Sequence, residues 1–133
     1  MRDLSVMTKE EIRSEGAPKA IGPYSQAVRA GGMLFLSGSI PVDPSTGELT
    51  GGSVGEQTRR VLTSLGNVLE EAGLDMRHVV KTTVFLKDLK GFKEMNEAYA
   101  EFFSEPYPAR ATVEVSGLPK GALVEIDAIA VTG

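Results

Sequence analysis

Arg110 heads the run Ala111–Val115, and Glu125 stands between Val124 and Ile126 in a second apolar run. A half-buried strand needs neither charge, so these two residues are the first candidates for chemistry. The planar fork of an arginine captures a small carboxylic acid through two parallel hydrogen bonds. A carboxylate flanked by β-branched residues is costly to bury unpaired, unless it faces a polar cleft and handles a proton or a water there. Side chains alternate along a strand, so Arg110, Thr112 and Glu114 share one face, and Leu123, Glu125 and Asp127 share another. A hairpin centred near Leu118–Pro119 would set Thr112 opposite Glu125 and Arg110 near Asp127, with guanidinium and carboxylate a few ångströms apart. The same pattern also reads as a cross-strand ion pair on a solvated face, worth at most ~1 kcal/mol. Pattern alone does not choose between them.

Composition narrows the remaining chemistry. The chain has 133 residues, 41% hydrophobic and 24% charged, which predicts one domain spanning residues 1–133 with a single core. It contains no cysteine, which excludes disulfides, a thiol nucleophile and thiolate–metal sites. Its single histidine, His78, lies away from the candidate strands and receives no role; one imidazole offers no histidine cluster for zinc. The net charge of −4 comes with scattered basic residues, whereas a protein that neutralises phosphates shows a basic stripe. Nucleic acid is therefore a poor partner. No run approaches a membrane span and no signal-peptide core opens the chain, so the expectation is a cytoplasmic protein without a membrane partner.

The elements that must position Arg110 and Glu125 read as follows. Thr8–Glu11 carries a capping-box pattern for a short helix that Gly16 and Pro18 would stop, while a flexible segment or a short strand over residues 1–16 is the alternative. Met7 is a second candidate start, leaving residues 1–6 as a disordered extension. Ser25–Ala30 and Met33–Ser37 flank Gly31–Gly32, a two-residue hairpin signal. Asp43–Gly47 is a turn, and Ser53 with Glu56 caps a helix whose stripe is Val54, Val61, Leu65, Val68 and Ala72, ended by Gly73. Val79–Leu86 is β-branched on both faces, as a central strand is. Asp88 is placed to cap a second helix with Phe92, Met95, Tyr99 and Phe102 inward. The order is β-β-α-β-α-β-β, with a short extra strand allowed at the N-terminus. Two helices on one face of a mixed sheet define an α+β fold.

Four ordered segments carry a resemblance. They are Ala20–Gln26, Ser37–Pro41, Val80–Phe85, and Pro108–Arg110 followed by Leu118–Pro119 and Val124–Asp127. From about Ala17 onward the chain resembles the Rid (YjgF) family of reactive-intermediate deaminases. The resemblance implies a chorismate-mutase-like fold assembled as a homotrimer, with a site in each cleft between subunits. It also implies hydrolysis of 2-iminopropanoate and 2-iminobutanoate to 2-oxo acids and ammonia. By position, Arg110 matches the residue that grips the substrate carboxylate and Glu125 the one that orients water; Tyr24, Ser37 and Asn96 match pocket residues, and Thr112 a backbone contact. The chain departs from the family pattern at Asp127 for a usual Glu, at Thr112 for a frequent Cys, and in a shorter segment Ser104–Tyr107. These bear on substrate preference more than on reaction type.

Such chemistry needs no metal or other cofactor, because a protonated imine is already electrophilic. The protein must supply position and one proton-handling group. A non-catalytic trimer that binds small carboxylates or 2-oxo acids is the alternative; it would use Arg110 but not need Glu125 ionised. An endoribonuclease or translation inhibitor ranks third.

Overall fold

The computed structural model describes residues 8–133; the expected extension over residues 1–6 lies outside them. Six strands form one mixed sheet: β1 Glu10–Ile12, β2 Ala27–Ala30, β3 Met33–Ser39, β4 Val79–Leu86, β5 Ala109–Glu114 and β6 Val124–Val131. Helices α1, Val54–Glu71, and α2, Phe92–Tyr99, lie on one face. The spatial order is β1-β2-β3-β6-β4-β5, with only β4 and β5 parallel. Among the described residues, no helix is long and apolar enough to cross a membrane.

Local chemistry explains most of these elements. Gly31 and Gly32 both adopt positive φ, 56° and 77°, as the two-residue turn between β2 and β3 requires. Ser53 Oγ accepts the Glu56 N–H at 3.2 Å and opens α1. Another free N–H of this first turn, that of Gly55, is taken by Glu94 of α2, whose carboxylate accepts it at 2.7 Å. The Ser53 hydroxyl and that N–H hold the Glu94 pKa below its ordinary value. Asp88 caps a single 3-10 turn, Leu89–Gly91, that leads into α2. On α2, Met95 and Tyr99 are buried as expected, but Phe103 rather than Phe102 completes the stripe because the helix ends at Tyr99. The Phe103 ring lies 4.5 Å from that of Tyr99.

Two expectations fail. Residues 8–16 form no helix; Glu10, Glu11 and Ile12 pair with Arg29, Val28 and Ala27, the short-strand alternative. So short a helix would be marginal alone, whereas strand pairing buries Ile12 against the core. The second failure matters more. β5 and β6 are not a hairpin, because β4 lies between them, parallel to β5 and antiparallel to β6. Tight hairpin loops force neighbouring strands together. The segment between Glu114 and Val124, with its 3-10 turn Pro119–Gly121, is long enough to step across one strand.

The core lies between the sheet and the helices. Val124, Ile126, Ala128 and Ala130 of β6, Val84 and Leu86 of β4, and Leu34 and Leu36 of β3 meet Val61, Leu62, Leu65 and Val68 of α1. Alternation then sends Glu125, Asp127, Ile129 and Val131 to the opposite face. No element of the described residues covers that face. Phe35 and Val113, 43% and 41% exposed, lie on it beside the half-buried Phe85 and Ile129.

Candidate active site in two halves

On β5, Arg110 registers with Thr82 and Thr112 with Val84, both on the helix-facing side of β4. Arg110 therefore points toward α2. Its guanidinium carbon sits 4.8 Å from the Tyr99 ring centroid and 5.6 Å from that of Phe92. These aromatic faces attract the cation and fix its plane. Tyr99 is itself held by a 2.8 Å hydrogen bond between its hydroxyl and Thr82 Oγ1. Burial pushes the Tyr99 pKa up, against smaller opposing effects of Thr82 and Arg110. Among the described residues, no carboxylate lies within ion-pair distance of Arg110. Asn96 falls on the same flank of α2, between Phe92 and Tyr99, and is half-buried. β5 is also an edge strand, with β4 its sole neighbour, so its outer backbone groups at Arg110 and Thr112 lack partners in this sheet. Arg110, Asn96 and Thr112 thus form one group at one end of the sheet.

The second group lies on the other face. Glu125 registers with Phe85 of β4, and its carboxylate packs against Gly38 where β3 departs from regular register. A Cβ at Gly38 would come within 3.0 Å of the Glu125 carboxyl carbon, and closer still to Oε2. A side chain at position 38 would displace the Glu125 carboxylate from this place. Burial raises the Glu125 pKa above the ordinary 4.5, and the like charge of Asp127 raises it further. The entrance to β6 is held by Gln57, whose carboxamide accepts the Leu123 N–H at 2.8 Å and donates to the Thr50 carbonyl at 3.0 Å.

Ser37 and Tyr24 lie beside Gly38, along a cleft that Glu125 itself does not line. The Ser37 hydroxyl donates to the Ser25 carbonyl at 2.6 Å, and its N–H donates to the Gln26 carbonyl at 2.9 Å. Tyr24 is exposed on a loop, its hydroxyl accepting the Ile21 N–H at 3.4 Å. Gln26 anchors the chain before that loop: its amide donates to the carbonyls of Ser14, Ala17 and Pro18, and its oxygen accepts the Ser14 N–H. Tyr24, Ser37 and Gly38 line a cleft of about 380 Å³ whose wall includes Val42, Leu65 and Val68.

The expected pairing of Arg110 and Glu125 within one chain is therefore wrong. They project from opposite faces and are separated by β4, two strand spacings or about 10 Å in the sheet plane. No small carboxylic acid touches both. Sequence reasoning also missed Gly38 and Gln26 as supports; the Ser37–Gly38 pair reads simply as a strand end. His78 does what a lone structural histidine does, its Nδ1 accepting the Asp75 N–H at 3.2 Å in a 3-10 turn.

This is an α+β chain whose polar, chemistry-bearing residues fall into two candidate half-sites on opposite faces of the sheet. The chain matches the family described as Endoribonuclease L-PSP over residues 14–132. A RutC family protein of Pyrococcus abyssi is 55% identical over 124 residues, 93% of this chain and 98% of that one. The human 2-iminobutanoate/2-iminopropanoate deaminase is 44% identical over 130 residues, covering 98% of this chain and 95% of its own. The crystal structure of the YjgF gene product from E. coli superposes with a TM-score of 0.88 at 47% identity, covering 93% and 99%. The chain belongs to the Rid (YjgF) family.

Proposed function

We propose that the protein is a homotrimer of single-domain subunits in the chorismate-mutase-like arrangement, and that it hydrolyses 2-imino acids to 2-oxo acids and ammonia. The observation that carries this reading is the split site: an arginine without a carboxylate partner on one face, and a glutamate of raised pKa on the other. A cyclic assembly brings one copy's Arg110 edge against another copy's Glu125 face, and it covers Phe35 and Val113 in doing so. The name of the human relative, 44% identical, supplies the substrate class.

In this reading Arg110, with Asn96 beside it, takes the substrate carboxylate, and the outer backbone of β5 at Thr112 lies along it. Tyr24 and Ser37 of a second copy close the other side. Glu125 of that copy holds a water against the imine carbon and accepts its proton as the C–O bond forms. Glu125 passes that proton to nitrogen and takes up the hydroxyl proton of the tetrahedral intermediate as its C=O bond forms and its C–N bond breaks, so that ammonia leaves a 2-oxo acid. Water supplies the oxygen, so atoms balance without a redox partner. The positioning term matters most, since the reaction in water is not slow.

The test is ammonia or 2-oxo-acid release from imines generated in situ by an amino-acid oxidase, with and without the protein. Acceleration supports the deaminase; tight 2-oxo-acid binding without acceleration moves the assignment to a carboxylate-binding trimer. Sedimentation at micromolar concentration should give three times the chain mass. A monomer there would remove the shared site altogether. A nuclease reading finds little support in a chain of net charge −4.

A further inference from the structure

Lys120 is the one non-glycine among the described residues with positive φ, at 58° with ψ 16°. L-residues other than glycine and asparagine disfavour this conformation, and such strain gathers at functional sites. Gly121 beside it also has positive φ, 74°, and there the chain does use glycine. The turn itself gains nothing from a lysine at 120. Its side chain lines the same cleft as Tyr24, Ser37 and Gly38, five residues ahead of Glu125 on the approach to β6. Among the described residues, Lys19 is the only other charged residue lining that cleft, and no acidic residue does. Among the described residues, no carboxylate lies within ion-pair distance of Lys120. A strained, solvent-exposed cation without a counter-ion therefore borders an otherwise largely apolar cleft.

We propose that Lys120 is a second anion-binding residue of the site, contacting the carboxylate of a small 2-imino or 2-oxo acid from the side of the cleft that Tyr24 and Ser37 line. This rests on the substrate class proposed above, and assigns one further residue to its recognition. The acid then meets cations from both half-sites, Arg110 as a planar fork and Lys120 as a mobile point charge. Lys120 acts on binding, and the proton transfer stays with Glu125.

The experiment is calorimetric titration of the unmodified protein, Lys120→Gly, Lys120→Gln and Lys120→Arg with 2-oxobutanoate and, separately, with its uncharged amide. Loss of one partly exposed charge-assisted contact should weaken the acid by roughly 3- to 10-fold in the Gly and Gln variants. Amide binding should not change, and Lys120→Arg should retain most of the acid affinity. Lys120→Gly should melt no lower than the unmodified protein, because glycine adopts this backbone without strain. Unchanged acid affinity in both neutral variants would overturn the proposal, as would equal weakening of acid and amide. Failure of the underlying reading looks different: the unmodified protein would neither bind the acid nor accelerate imine hydrolysis.

Discussion

Glu125→Gln should lower kcat on 2-iminobutanoate by about 10²- to 10⁴-fold, the usual contribution of a general acid–base group, with the lower end expected for so reactive a substrate. Glutamine keeps the size of the side chain and its place against Gly38, but cannot accept the proton of the attacking water. Affinity for 2-oxobutanoate, gripped from the other half-site, should stay within a few-fold. The unmodified enzyme should lose activity as pH falls through the Glu125 pKa, which burial and Asp127 set above the ordinary carboxylate value. Lys81 and Thr83 of β4 share that face with Glu125 and Asp127, so the profile belongs to this cluster rather than to one isolated acid. The sign for stability is opposite to that of a salt-bridged acid. A raised folded-state pKa favours the protonated form, so this stabilising contribution is present below the unfolded pKa and is lost as pH rises through the folded one. At neutral pH the glutamine variant should therefore melt no lower than the unmodified protein. Unchanged turnover in a folded Glu125→Gln protein would remove Glu125 from the mechanism.

Arg110→Lys should be nearly as damaging as Arg110→Ala. Removing a charge-assisted pair costs about 1.5–3 kcal/mol of binding, roughly 10- to 150-fold in kcat/KM. Lysine keeps the charge but lacks the two parallel donors, and its ammonium lacks the planar face that a guanidinium can offer to the Tyr99 and Phe92 rings. The measurement is kcat/KM for each variant beside its melting temperature. A lysine variant that keeps most of its activity would show that position 110 supplies charge alone.

What could be read from the sequence was what neighbouring residues decide. Ser53 before an amphipathic stripe, the Gly31–Gly32 pair between two strands, and the β-branched run of β4 each specify an element through local sterics or capping. Their order followed, and so did the placement of two helices on one face. Strand neighbours depend on a crossover instead. Nothing within residues 108–131 states that β4 will lie between β5 and β6; that depends on α2 delivering β5 parallel to β4. The mistaken hairpin put Arg110 and Glu125 on one face, which a single intervening strand undoes. The Thr8–Glu11 pattern misled for a related reason, since pairing with β2 outweighs a lone cap signal. Gly38 was invisible because its role is empty space, and only the Glu125 carboxylate beside it reveals this. The candidate residues themselves came from their types and from family resemblance, and the structure adds their division into two groups.

Mixed assemblies test that division. Arg110→Ala and Glu125→Gln subunits, each nearly inactive alone, are unfolded together, refolded at a one-to-one ratio, and assayed for imine hydrolysis. If each cleft takes Arg110 from one copy and Glu125 from the next, about a quarter of the clefts in a randomly mixed cyclic assembly combine both intact halves. Activity should recover to roughly that fraction of the unmodified level, with no recovery when folded homotrimers are mixed without exchange. Mixed assemblies that form but stay as inactive as the two parents would contradict it, placing both residues' work within a single chain or outside the reaction.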